Sequence, residues 1–308
     1  MNPSRAIGLK LTSVTLFVVM SALIKAASEQ GVPPGETVFF RSFFALPVIL
    51  VWLVWTGQLG AGLRTKDPLG QFWRGLVGGT AMVLNFAALG ILPLPEATAI
   101  SYSSPLLVVI FAAMFLGEKV RLFRLSAVAL GLLGVLVVIS PRLSSFGTDA
   151  VAARATLGAV VALGGASCAA LAQVFVRKLV QTERTSAIVF WFSVVATVLS
   201  LFTIPFGWVM PSPGAAAMLI LAGLVGGLAQ ICLTSAYRHA EAGLVAPFDY
   251  ASILLALVIG YFVFAEVPTP MVLIGAGLII SAGVFIIWRE RQLGLERGRA
   301  RKGITPQG

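Results

Sequence analysis

Apolar residues in this chain run in long blocks, separated by short polar gaps. A bilayer-spanning helix needs about 20 mostly apolar residues. Ten blocks approach or reach that length: 6–28, 36–56, 72–92, 95–116, 123–140, 156–180, 186–207, 214–237, 242–264 and 271–288. The longest gaps, 57–71 and 141–155, leave no room for a soluble domain. The predicted class is all-α integral membrane, with ten transmembrane helices. The gap at 141–155, which holds Pro141, Gly147 and Thr148, splits the chain into two sets of five. These are residues 1–140 and 156–288, followed by a basic tail at 289–308. The first block is too long for a signal-peptide core and reads as an uncleaved anchor.

The two sets share a pattern. Gly-Leu-Val-Gly-Gly stands at 75–79 and again at 223–227. In the same ungapped register Tyr102 falls on Tyr250, Ser104 on Ser252 and Glu118 on Glu266. A fixed-period match of this kind marks a duplication. Gly75/Gly79 and Gly223/Gly227 are also small-xxx-small pairs, which let helices approach closely in lipid. Five helices is an odd number, so the second copy enters the membrane upside down. Inverted repeats are a transporter arrangement, with the substrate site near the midplane where the copies meet.

Composition agrees. The chain is 58% hydrophobic and 11% charged. Its net charge of +10 suggests nucleic acid only until the basic residues are placed. With the N-terminus cytoplasmic, 18 of 22 Lys and Arg fall on the cytoplasmic side, Lys10 and Arg74 among them. Lys25, Arg142 and Arg154 fall outside, and Arg41 lies within the second block. This asymmetry is topogenic. The expected partners are the bilayer, a small-molecule substrate and, where transport is coupled, protons. Nucleic acid, cofactors and metals are not expected: Cys168 and Cys232 lack ligand spacing.

Three motifs then carry a resemblance: Phe39-Phe40-Arg41, Leu116-Gly117-Glu118-Lys119, and Ala246-Pro247-Phe248-Asp249-Tyr250, with Phe264-Ala265-Glu266 as a degenerate copy of the second. With the repeat, they make the sequence resemble the drug/metabolite transporter superfamily, in its ten-helix branch of two EamA-type repeats. Within that branch it is most similar to bacterial amino-acid and metabolite exporters, aromatic amino-acid exporters included. The resemblance implies export of amino acids or related metabolites across the inner membrane.

Polar groups inside a bilayer are costly and are functional candidates by default. Asp249 follows Pro247, which removes a backbone hydrogen bond within the ninth block. It reads as a substrate-ammonium or proton site, or as a partner of Arg238 or His239. Ser101 and Tyr102 are its first-copy counterparts, beside Pro105. Tyr102 and Tyr250 read as paired gates or as interface anchors. Arg41 suits a substrate carboxylate, or snorkels outward to Glu36 or Glu96. Asn85, Gln173 and Gln230 are neutral polar groups at depth. They either line a cavity or join helices by hydrogen bonds. Trp191, Phe39, Phe43 and Phe86 supply an apolar wall or face lipid. Glu118 and Glu266 end helices, where the dipole disfavours a carboxylate. Both read as structural, Glu118 beside Lys119, Arg121 or Arg124 and Glu266 against the start of the tenth helix.

HExxH, GxSxG and Walker A patterns are absent from the sequence, which argues against an enzyme or ATPase. No filter segment suggests a channel. Efflux of cationic or hydrophobic drugs is the competing transport reading. The first block carries no carboxylate to serve it.

Overall fold

The computed structural model describes residues 3–116, 122–144, 150–179, 182–239 and 246–303. Among them the secondary structure is helical throughout, without strands. The helices are α1 (Pro3–Glu29), α2 (Pro34–Trp55), α3 (Leu59–Leu63), α4 (Pro68–Leu89), α5 (Leu94–Ser101), α6 (Ser103–Leu116), α7 (Leu122–Ser144), α8 (Ala150–Leu179), α9 (Thr185–Leu201), α10 (Pro213–His239), α11 (Ala251–Phe264) and α12 (Pro270–Gly303). Among the described residues, six spans are long and apolar enough to cross a membrane: Ser4–Glu29, Pro34–Trp55, Pro68–Leu89, Leu94–Phe115, Ala150–Val176 and Pro213–Leu233. Shorter apolar helices cover Leu125–Pro141, Ser186–Leu201, Phe248–Phe264 and Pro270–Phe285. Large apolar side chains such as Phe202, Phe206, Phe262 and Val263 stay exposed. That exposure suits a chain solvated by lipid.

Four boundaries differ from the hydropathy reading. The 95–116 block is not one helix but α5 and α6, parted at Tyr102. Pro105, in the first turn of α6, has no N–H to donate to Ser101, so one rung of the ladder is missing at the break. Asp249, expected within the ninth apolar block, does not lie in an α-helix. It sits in a 3-10 turn, Ala246–Tyr250, ahead of α11. The gap at 57–71 holds α3, and α4 starts early because Asp67 caps it, accepting the Gly70 N–H at 2.8 Å. The expected linker at 141–155 is largely helical at both ends. α7 passes through Pro141, and the Ser140 hydroxyl donates at 2.9 Å to the carbonyl of Val137, which the proline leaves unbonded. The Ala-rich run from Ala150 starts α8 early.

One core joins most elements. Ile24, Val38, Leu94, Ile100, Val138, Ala159, Ala222, Ile253 and Ile279 are all buried in it. The glycine motifs set the close approaches, but not with the same residues in each copy. In the second copy the expected pair holds: Gly223 and Gly227 on α10 face Phe40, Phe44, Ala45 and Val48 of α2. A Cβ at Gly223 would fall 2.5 Å from Phe44 Cβ, and one at Gly227 would fall 3.0 Å from Val48 Cβ. In the first copy the expected Gly75/Gly79 pair is corrected to Gly75/Gly78. A Cβ at Gly75 would fall 2.4 Å from Val195 Cγ1 of α9, and one at Gly78 would fall 2.8 Å from the Phe192 ring. A Cβ at Gly79 would meet only Ala196 Cα, at 4.0 Å, which is ordinary contact. Gly79 is buried, yet its neighbour on α9 is as small as alanine, so the approach there does not require glycine. The two copies of the motif thus seat different partners on slightly different faces.

Candidate functional site

The two interrupted segments meet. Tyr102, at the α5–α6 break, packs on Tyr250, at the end of the 3-10 turn, with ring centroids 5.2 Å apart and planes at 37°. The Tyr102 hydroxyl donates to the backbone carbonyl of Asp249 and lies 2.6 Å from Ser252 Oγ. Backbone carbonyls left open by broken helices are tolerated at depth where side chains or a cavity satisfy them. Here Tyr102 does so for Asp249. A cavity of about 200 Å3 opens beside the junction. Phe17, Ser21, Asn85, Thr98, Ser101 and Tyr102 line it, with Phe86 as part of its apolar wall. Ser101 Oγ donates to the Ala97 carbonyl at 2.8 Å and stands 3.4 Å from Asn85 Oδ1.

Asp249 pairs with Lys10 of α1 at 2.7 Å. Hydropathy assigned Lys10 to the cytoplasmic charge set, yet its side chain is buried. The side chains of Arg238 and His239, the partners considered from sequence, lie outside the described residues. A second such pair lies farther along α1. Lys25 Nζ is 2.9 Å from Glu266 Oε1 and donates to the Leu92 carbonyl at 2.9 Å. Glu266 Oε2 accepts the Leu94 N–H, the first of α5, at 2.8 Å. A carboxylate is favourable at a helix N-terminus. Glu266 thus belongs to α5 and Lys25, rather than to the start of the tenth helix. Glu118 lies outside the described residues.

Arg41 does not snorkel. It is buried, its Nε reaches no acceptor, and among the described residues it makes no ion pair. Glu36, one supposed partner, accepts the Val209 N–H at 3.1 Å instead. Arg74 of α4 stands over the Phe192 ring with Cζ 3.7 Å from the centroid, and Arg41 Cζ lies 6.0 Å from the same ring. Gln230 and Ser193 complete the polar part of this pocket, with Ala45, Ile49 and Val189 as apolar walls.

The candidates thus divide. Asn85, Ser101, Tyr102, Asp249 and Tyr250 come together at the junction and its cavity. Arg41 and Gln230 come together at the second pocket. Gln173 is exposed on α8 and lines neither. Trp191 also lines neither, and its indole N–H donates to the Leu63 carbonyl at 2.9 Å, tying α3 to α9. Phe39 and Phe43 stack on each other at 5.5 Å and line neither pocket. Lys10, Lys25 and Arg74 were missed. Each lies inside an apolar block, and that position was the available signal. Glu183 was missed too. It accepts the Asp67 N–H at 2.8 Å and the Thr65 hydroxyl at 2.9 Å, and so fixes the entry to α4.

A helical multi-pass chain with broken helices meeting at a buried polar junction has the build of a membrane transporter. The chain belongs to the EamA-like transporter family, whose model matches it twice, at residues 4–140 and 156–289. A solute carrier family 35 model matches residues 98–206. A pseudopaline exporter of Pseudomonas aeruginosa is 34% identical over 86% of this chain and 90% of its own. An S-adenosylmethionine uptake transporter of Rickettsia felis is 30% identical over 83% and 84%. A riboflavin transporter of Rhizobium johnstonii is 29% identical over 94% of each chain. A solved crystal structure matches 94% of this chain and 99% of its own at a TM-score of 0.66 and 22% identity, which bears on the fold alone. These relatives are transporters of small metabolites, and their names do not include aromatic amino acids.

Proposed function

We propose that this protein is a secondary transporter exporting small metabolites of the amino-acid class, neutral and aromatic amino acids included, by alternating access. In this reading ten helices form two inverted five-helix repeats in a bacterial inner membrane, with both termini cytoplasmic. The observation that carries it is the Tyr102–Tyr250 junction. Two interrupted segments, in the same register of a duplicated sequence, meet beside a cavity. Such a junction can open toward either face by rocking one repeat against the other.

Efflux of cationic drugs is the competing reading. The Lys10–Asp249 pair weighs against it, because it occupies the acid that a drug cation would need.

The test is uptake of labelled amino acids and a quaternary-ammonium dye into proteoliposomes, with and without an imposed pH gradient. Saturable amino-acid uptake is expected, and a response to the gradient would mark proton coupling. Dye movement without amino-acid movement would replace this reading with drug efflux.

A further inference from the structure

Among the described residues, Lys10, Lys25 and Arg41 are buried within the helices and Arg74 is partly buried. Lys10 and Lys25 each have a carboxylate, from Asp249 and Glu266. Arg41 and Arg74 have none. Among the described residues neither makes an ion pair, and Arg41 Nε and Arg74 Nε and Nη1 reach no acceptor. What they share is the face of Phe192. Gln71, one turn before Arg74 on α4, also has both amide atoms without a partner. Two like charges lining one pocket repel each other, and they do so most where water is partly excluded. A sequence keeps such an arrangement against local physics where function requires it.

We propose that Arg41 and Arg74 form an anion subsite, and that the transported metabolite is a net anion carrying two carboxylates. The inference rests on the transporter reading but sets acidic metabolites in place of the neutral and aromatic amino acids named there. Two guanidiniums present planar donor forks suited to carboxylates. They leave a charge of two to be balanced, and a zwitterion brings no net charge to balance it. Asp249 is not spare to receive a substrate ammonium, since Lys10 holds it at 2.7 Å. The space between the arginines is about 10 Å3, room for a single water. The subsite is therefore closed in this conformation, and a ligand enters when α2 and α4 part.

The test uses the purified full chain in detergent and follows its thermal unfolding midpoint. Glutamate and succinate are titrated against glutamine, phenylalanine and choline. The acidic probes are expected to raise the midpoint saturably, and the others to leave it unmoved. Arg74→Gln should weaken the response about tenfold, with Arg74→Lys between it and the wild type. Without ligand, Arg74→Gln should be no less stable than the wild type, because it removes an unpaired charge. Equal stabilisation by glutamine and glutamate overturns the inference. So does an unchanged response in Arg74→Gln or, should that variant not fold, in Arg74→Lys. Proteoliposome flux separates the two readings. Phenylalanine uptake without glutamate or succinate uptake sinks the anion subsite and leaves the transporter. Acidic-probe binding without flux of any solute keeps the subsite and sinks the transporter reading.

Discussion

Helix α1 and the α2–α4 pair each hold two cations, and they treat them in opposite ways. On α1, Lys10 and Lys25 meet acids from the same later stretch of chain, Asp249 and Glu266. The fifteen-residue spacing separates the two contacts by about 22 Å along the helix. On α2 and α4, Arg41 and Arg74 meet an aromatic ring and no acid. A buried pair is held firmly because losing either partner strands the other. An unpaired cation has no such hold on its neighbours. The comparison teaches that buried charge here does two jobs, clamping in one place and waiting in the other.

Two substitutions test the clamping side of that division and two test the packing around it, from the largest effect to the smallest. Lys25→Met leaves Glu266 without its partner and should cost about 3–5 kcal/mol of stability, read as a fall in unfolding midpoint in detergent. The double variant with Glu266→Gln should recover part of that loss. A single variant as stable as the wild type would remove the clamp from the account. Asp249→Asn removes the carboxylate from Lys10 at a more open position, so a smaller loss of about 3 kcal/mol or less is expected. Combining it with Lys10→Met should restore the midpoint. If flux stays absent when stability returns, the pair serves transport; if both return, the pair is structural.

Gly223→Leu should cost about 1–3 kcal/mol by forcing α10 off α2. Its added Cβ would meet Phe44 at 2.5 Å. A neutral outcome would mean that the motif does not set the helix approach. Trp191→Phe loses one hydrogen bond to Leu63, worth about 1 kcal/mol, and should leave flux unchanged. Lost flux in a stable Trp191→Phe protein would return Trp191 to the substrate path.

The helical class was legible because a bilayer demands long apolar blocks, and those survive any detail of packing. The glycine motifs were legible as close-approach surfaces, but their partners were not. Which helix fills the groove at Gly223 depends on three-dimensional arrangement, and the sequence near Gly223 does not contain α2. The same gap hid which glycines of the first copy matter. Spacing favoured Gly79, whereas the bulk of Phe192 makes Gly78 the tight position and the smallness of Ala196 relaxes Gly79. Tyr102 and Tyr250 were paired from register alone, and the structure brings their rings together. Lys10 and Lys25 were read as topogenic charges alone, a role that a lysine near the end of an apolar block also suits. Only the positions of Asp249 and Glu266 separate those uses. Arg41 was recognised as costly, but its neighbour Arg74 was counted with the loop charges, so the doublet went unseen. The break at Tyr102 was hinted at by Pro105, while α7 runs through Pro141 and α2 through Pro47 unbroken, so a proline alone does not place a break.

The crossed partnership of the glycine motifs bears on how the chain is made. Residues leave the ribosome from the N-terminus onward, and α2 is synthesised more than 150 residues before the groove of α10 that covers it. Arg41 therefore enters the membrane before Gly226 and Gln230, which line its pocket, have been translated. The early product must hold a charged helix in a provisional position until the later helices arrive. Biogenesis, rather than the finished fold, is then the stage at which this protein is most exposed to membrane quality control.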